Sequence, residues 1–458
     1  MLQSAFRSPE ALNNPERKRF DMDDHTIREI RRIRVNPRFR RYPEYKESGV
    51  EWVGEIPKHW EVRRNKRVFN ERDNRSVTGK EELLTVSHIT GVSPRAEKRN
   101  VGMFLAQTLE GYKHCSVGNL VVNTMWAWMG ALGVSAFDGI VSPSYNVYEL
   151  KSGEYLPRYY DYLYRTPNHV NEIIRWSKGI WTSRWRLYPD AFFSMFTIIP
   201  PFREQAQIAN FLDRKTGQID ELIRIKERRI ELLQEQRTAL INQVVTKGLD
   251  PNVEMKPSRM EWIGEIPMHW EVKKIKHVAT FVSEKSMPET DAIKISPENV
   301  ESETGKVLDF FSSYDSMGVK FQVGDVLFNK IRVYLNKVVY AEYDGYSLGE
   351  MIVMRPSLQG MGKYLFYLML SSRFIEYCNS ISYGAKMPRT AVDDILNAQI
   401  PIPTDSEQRK IADFLNNKTQ QVDKLVSAEQ RKIELLKEYR QSLISEAVTG
   451  KIDVRNEV

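Results

Sequence analysis

Apolar residues recur at alternating three- and four-residue steps along two stretches of the chain. The first seam runs Ile219, Ile223, Lys226, Ile230, Leu233, Arg237, Leu240, Val244, and the second runs Val422, Val426, Glu429, Ile433, Leu436, Arg440, Leu443, Ala447. These steps keep one face of a helix apolar, with charged interruptions at the third and sixth places of each seam. Each stretch follows Pro200-Pro201 or Pro401-Ile402-Pro403, which suits a helix entry because proline has no N–H to give a strand. From Glu204 a short helix through Ile208, Ala209, Phe211 and Leu212 is expected to lead into a long one ending near Gly248. About 33 residues at 1.5 Å each make a rod of roughly 50 Å. Matching seams point to an intrachain antiparallel coiled coil; the competing arrangement docks each helix on its own globular neighbour. The outer faces (Arg228, Glu231, Glu235 and Arg431, Glu434, Glu438) are either solvated or bind another subunit.

Between these stretches the period shortens to that of strands rich in aromatic and β-branched residues, broken by glycine turns. LVVNTMW (120–126) and NVYEL (146–150) read as strands, and 159–176 as a helix. Further on, 325–334, 337–343 and 351–356 read as strands and 364–380 as a helix. Both segments are α+β.

The chain is also written twice. EWVGEIPKHWEV (51–62) and EWIGEIPMHWEV (261–272) share ten of twelve residues at an offset of 210. Residues 204–246 and 407–449 share 22 of 43 at an offset of 203. The segments between, 63–203 and 273–406, diverge apart from echoes such as Gly118 with Phe137-Asp138-Gly139 against Gly324 with Tyr343-Asp344-Gly345. A period near 200 residues is too long for a solenoid and indicates a duplicated two-part unit with a pseudo-twofold relation.

Composition narrows the class. Of 458 residues 41% are apolar and 28% charged, as in globular proteins with real cores. No run suits a membrane span or a signal h-region. Two cysteines, Cys115 and Cys378, give no disulfide framework and fit a reducing cytoplasmic setting. The net charge of +7 invites a nucleic-acid partner, but residues 1–41 hold eleven Lys/Arg against six Asp/Glu, so most of the surplus sits there. Any DNA-binding case therefore rests on local clusters. That arginine-rich extension is a DNA-phosphate arm, a short amphipathic helix or a poorly ordered or artefactual stretch, the last being favoured.

Two short basic loops occupy matching places before the helix entries. One carries Lys178, Thr182, Arg184 and Arg186, the other Lys386 and Arg389. Arginine and lysine on such loops can reach guanine O6/N7 or clamp phosphates; the alternative is a solvated loop without a partner. Lys330, Arg332 and Tyr334 alternate along a predicted strand face and are weaker candidates. Met125, Trp126 and Trp128 could stack at DNA, but buried core is the favoured reading because aromatics dominate cores. His59-Trp60 and His269-Trp270 are expected to be structural, and His88, His114 and His169 show no metal-ligand spacing. No GxxxxGK[ST], GxGxxG, NPPY-like, HExxH or GxSxG motif is present. Recognition without catalysis is the reading, and no metal site is expected.

With EWIGEIPxHWEV openings, IPxP…EQxxIAxFL entries and two divergent segments, the chain resembles the specificity subunit of type I restriction–modification enzymes over about 42–458. The resemblance implies two target-recognition domains separated by two long helices, each domain reading one half of a bipartite asymmetric DNA site. Its implied partners are double-stranded DNA, two adenine-methyltransferase modification subunits and ATP-driven restriction subunits. No cofactor is implied for this chain; S-adenosylmethionine, ATP and Mg would belong to the partner subunits. Glu204, Gln205, Ile208, Phe211, Glu407, Gln408, Ile411 and Phe414 are implied as scaffold or subunit interface, and the loop cations as DNA-facing. Helix length would set the unread gap. The expected division is 1–41 extension, 42–199 first recognition domain, 200–250 helical spacer, 251–402 second recognition domain, 403–458 second spacer. The alternative is a coiled-coil bridging protein whose variable domains bind protein.

Overall fold

The computed structural model describes residues 39–97, 108–179, 185–289, 291–310, 316–358 and 360–457. Packing divides the chain into two units: one joins residues up to Arg224 with those from Lys432, and the other is Ile225–Arg431. Each long helix, Phe202–Lys247 and Asp405–Val448, therefore gives one half to each unit. This grouping differs from a division into recognition domains and spacers, because parts of the long helices are built into a globular core. In the second unit Ile241, Val244, Val245, Ile411 and Leu415 share one core with Trp270, Phe328, Leu365 and Phe374. The helices also begin as single continuous elements, with no separate short entry helix.

In the first unit a four-stranded antiparallel sheet has the order Phe69–Arg72, Tyr145–Leu150, Leu120–Asn123, Leu132–Val134. Val121 and Val147, with Leu84, Val86 and Cys115, fill the core on one side. A clip pairs Glu61–Arg64 with Phe196–Ile199 and brings the chain back to the helix entry. The second unit repeats the order with Ala279–Val282, Met351–Pro356, Val326–Asn329 and Val338–Tyr340. Its clip pairs Glu271–Lys274 with Gln399–Ile402. It also carries a second four-stranded sheet in which Lys294–Ile295 runs parallel to Gly345–Ser347.

Several predicted elements are shorter than the patterns suggest. The helix expected over 159–176 is two, Pro157–Tyr164 and Pro167–Trp176, because Pro167 starts a new helix behind the Thr166 cap. The one expected over 364–380 is likewise Met361–Leu370 and Ser372–Ser380, with Ser371 capping the second. The strand at 120–126 stops at Asn123, and the strand at 325–334 covers only Val326–Asn329. Residues 1–38 of the amino-terminal extension lie outside the described residues. Phe39–Arg41 already belong to the first unit: Phe39 meets Phe211 edge-on, Arg40 bridges Asp453, and Arg41 pairs with Glu55. Among the described residues no helix is long and apolar enough to cross a membrane.

All sixteen seam positions are buried or half-buried. Their charged members are neutralised within each unit. In the second, Lys226 pairs with Glu429 at 2.9 Å and Arg237 with Asp423 at 3.4 Å, an antiparallel order. In the first, Arg440 pairs with Asp220 at 2.9 Å. The outer-face Arg228 pairs with Glu231 and Glu235 along its own helix.

Candidate nucleic-acid interface

The repeated His-Trp motif and the helix-entry glutamates form one device in each unit. Glu204 receives His59 Nε2 at 2.6 Å, Trp60 Nε1 at 2.9 Å and Tyr42 Oη at 3.2 Å. Glu407 receives His269 Nε2 at 2.9 Å, Trp270 Nε1 at 3.2 Å and Thr404 Oγ1 at 2.7 Å. Both indoles are fully buried, so each N–H needs an acceptor, and a carboxylate at a helix start is also favoured by the helix dipole. The far side of each indole meets the glycine that ends a long helix. Gly450 (φ +71°) lies against Trp60 and Gly248 (φ +77°) against Trp270. Left-handed backbone there suits glycine.

The remaining scaffold candidates are buried too. Gln205 accepts from Leu156 N at 2.8 Å and donates to Pro200 O at 2.8 Å, and Gln408 donates to Pro403 O at 2.9 Å. Ile208, Phe211 and Ile411 are buried and Phe414 is half-buried against the second core. These residues orient the entry of each helix into its unit. Two tyrosines not singled out by pattern complete the joint: Tyr159 Oη donates to Val448 O at 2.8 Å, and Tyr364 Oη to Val245 O at 3.1 Å. Their repeat relation, at an offset of 205, is the signal that could have found them.

From this frame each unit projects a loop and a basic hairpin. In the second unit the strand ends at Asn329, whose side chain holds Ile331 N at 3.2 Å and Ile331 O at 2.8 Å. Arg332 then takes a left-handed conformation (φ +48°) and a 3-10 turn follows over Val333–Leu335. Lys330, Arg332 and Tyr334 therefore do not alternate on a strand face; a turn presents them. The loop is tied to the basic hairpin, with Arg332 N donating to Pro388 O at 2.7 Å and Thr390 N to Lys330 O at 2.9 Å. Within the hairpin Tyr383 and Arg389 exchange backbone hydrogen bonds of 3.0 and 2.9 Å. Thus Lys330, Arg332, Lys386 and Arg389, scattered in sequence, share one surface. Their charges are not equivalent. Lys330 is neutralised by Glu350 at 2.9 Å, whereas among the described residues Arg332, Lys386 and Arg389 form no ion pair.

The first unit builds the same loop from different side chains. Asn123 N donates to Ala131 O at 3.0 Å, as Asn329 N does to Lys337 O at 3.1 Å. A 3-10 turn over Ala127–Met129 and a left-handed Gly130 match Val333–Leu335 and the left-handed Asn336. At this offset of 206, Trp126 stands where Arg332 stands. Of the residues expected in the core, Met125 packs against the Val121–Val147 cluster, whereas Trp126 is 49% exposed and only Ala127 between the indoles is fully enclosed. Trp128 and Met125 are half-buried, Trp128 meeting Trp185 edge-on at 6.1 Å. The basic hairpin is anchored by Leu187 N to Thr124 O at 3.2 Å and closed by the Lys178–Arg186 backbone pair. Thr182 and Arg184 lie outside the described residues. The hairpin base is thus a ladder, and Lys178 and Arg186 form no ion pair among the described residues.

Two units of one sheet order thus each present an exposed loop beside cations that form no ion pair among the described residues. Residues 267–438 match the family model of the Type I restriction modification DNA specificity domain. The chain is 25% identical over 279 residues to the type I restriction enzyme MjaVIII specificity subunit of Methanocaldococcus jannaschii, a match covering 56% of this chain and 62% of that one. It is 23% identical over 204 residues to the EcoDI specificity subunit of Escherichia coli, covering 43% and 46%. The matches thus span less than two thirds of these relatives. In fold, it resembles a chain from a structure addressing complex assembly and conformational transition of the type I R-M system, with a TM-score of 0.65 at 17% identity over 86% of this chain and 98% of that one. The HsdS subunit from Thermoanaerobacter tengcongensis gives 0.50 at 16%, over 88% and 98%.

Proposed function

We propose that this chain is the DNA sequence-specificity subunit of a type I restriction–modification complex and performs no catalysis of its own. Each unit reads one half of a bipartite, asymmetric site through its turn loop and basic hairpin. The observation that carries this reading is the pairing of like frames with unlike tips: the same Asn-led loop ends in Trp126 in one unit and Arg332 in the other. A guanidinium can donate twice to guanine O6/N7, whereas an indole offers a stacking and apolar face, so the two halves of the site would differ. Arg389, Lys386, Lys178, Arg186, Thr182 and Arg184 contribute phosphate or base contacts. The Lys330 side chain contributes least to DNA contact, since its charge is already matched by Glu350.

The long helices act as an intrachain antiparallel coiled coil that sets the unread spacer and binds two modification subunits. Restriction subunits join that core in the cytoplasm. S-adenosylmethionine, ATP and Mg belong to those partners. The test is a methylome from cells expressing the cognate methyltransferase with and without this chain. Methyladenine at a split motif that appears only with the chain is the expected result. An active, bound methyltransferase with no chain-dependent mark would overturn the reading.

A further inference from the structure

At the offset of 203 relating the two helical repeats, Lys226 of the first copy stands where Glu429 stands in the second. In the second unit these two equivalents meet each other, Lys226 Nζ lying 2.9 Å from Glu429 Oε2. A position that meets its own equivalent marks the centre of an antiparallel pairing. Arg229 adds a second cation, 3.2 Å from Glu429 Oε1. Glu429 is almost fully buried, and a buried carboxylate is tolerated only with compensating charge.

We infer that Lys226 and Glu429 form a charge code that makes the two copies of the repeat pair with each other and rejects pairing of a copy with its like from a second chain. The apolar seam cannot supply that choice. Ile230 and Ile433, Leu233 and Leu436, and Leu240 and Leu443 are identical, and so are Arg237 and Arg440. By packing alone, a first copy would fit another first copy nearly as well as it fits the second, since the other apolar positions differ only in size (Ile219 and Val422, Ile223 and Val426, Val244 and Ala447). The charges break this tie. Two first copies would set Lys226 against Lys226 with an Arg229 on each side and no carboxylate at the centre. Two second copies would bury two Glu429 carboxylates against each other, offset only by Lys432, the counterpart of Arg229. Unlike pairing alone places one carboxylate between two cations. A single polar seam position that specifies partner and register is an established use of such residues in coiled coils. The inference does not depend on the DNA reading.

The test uses full-length chains. Lys226→Glu puts two carboxylates at the centre, and Glu429→Lys puts two ammonium groups there, so each variant repels itself. Each is complementary to the other. When the two are refolded together, one of them isotope-labelled, native mass spectrometry should show a two-chain species containing one of each, absent when either is refolded alone. The double variant Lys226→Glu/Glu429→Lys, which inverts the pair, should regain the mass and melting temperature of the wild type. A mixture with no preference for one-of-each species would overturn the charge code. Should either single variant fail to fold alone, the double variant decides: recovery supports the code, and no recovery refutes it.

Discussion

Replacing Glu407 with Gln probes the joint between the second His-Trp motif and its helix. The carboxylate collects His269 Nε2 at 2.9 and 3.0 Å, Trp270 Nε1 at 3.2 Å, and Thr404 N and Oγ1 at 3.1 and 2.7 Å. Partial burial opposes its ionisation, but the hydrogen bonds from Thr404, His269 and Trp270 prevail and hold it down to about 2, from an ordinary 4.5. Folding therefore stabilises the charged form. That contribution is complete above about pH 4.5 and is lost as pH falls toward 2. One unit of depression corresponds to about 1.4 kcal/mol. Because the side chain is 32% exposed, solvent screening reduces the net contribution to about 1–2 kcal/mol. Glutamine keeps the shape and one acceptor but does not titrate. Urea unfolding of the full chain through this acid range should find the variant less stable by about 1–2 kcal/mol near neutrality, with the gap closing at the acid end. A gap that stays constant with pH would refute the assignment of Glu407 as the charged acceptor.

Trp126→Ala should relax one position of the first half-site and leave the second unchanged; a methylome altered in both halves, or in neither, contradicts the loop's role. Arg389→Ala should weaken reading of the second half-site only, by about 1–3 kcal/mol if it makes a bidentate base contact, while Lys330→Ala should have little effect; equal losses at both half-sites in a binding titration would remove Arg389 from base contact. Gly450→Ala should destabilise more than Gly248→Ala, because a Cβ at 450 runs into Pro57 Cδ and lies 3.0 Å from Trp60 Cζ3, whereas at 248 the nearest atom is Trp270 Cζ2 at 3.2 Å. Both carry a left-handed penalty of about 1–2 kcal/mol, so thermal unfolding that ranks them the other way would count against the packing account.

The helical part was legible because a seam of period 3.5 and a proline entry are local signals: every seam position that pattern picked out is covered. The His-Trp motif was legible as structure, though its acceptor was not, since Glu204 lies 144 residues from Trp60 and no local rule links them. The candidate surface was half legible. Basic residues marked the hairpins, but β-branched and aromatic content extended the strand past Asn329 and hid the turn. Only the side chain of Asn329, folding back on Ile331, ends the ladder. Trp126 was misplaced because burial depends on what packs around it: its neighbour Met125 packs against the Val121–Val147 core while Trp126 stays half exposed. Lys330 looked like its basic neighbours until Glu350 was found beside it.

The first unit draws on two distant stretches of chain, whereas the second is contiguous from Ile225 to Arg431. On the ribosome this inverts the order of maturation. All residues of the second unit are synthesised before the helix half from Lys432 onward that completes the first. Tyr159 must wait for the Val448 carbonyl, 289 residues downstream. The unit begun first is thus completed last.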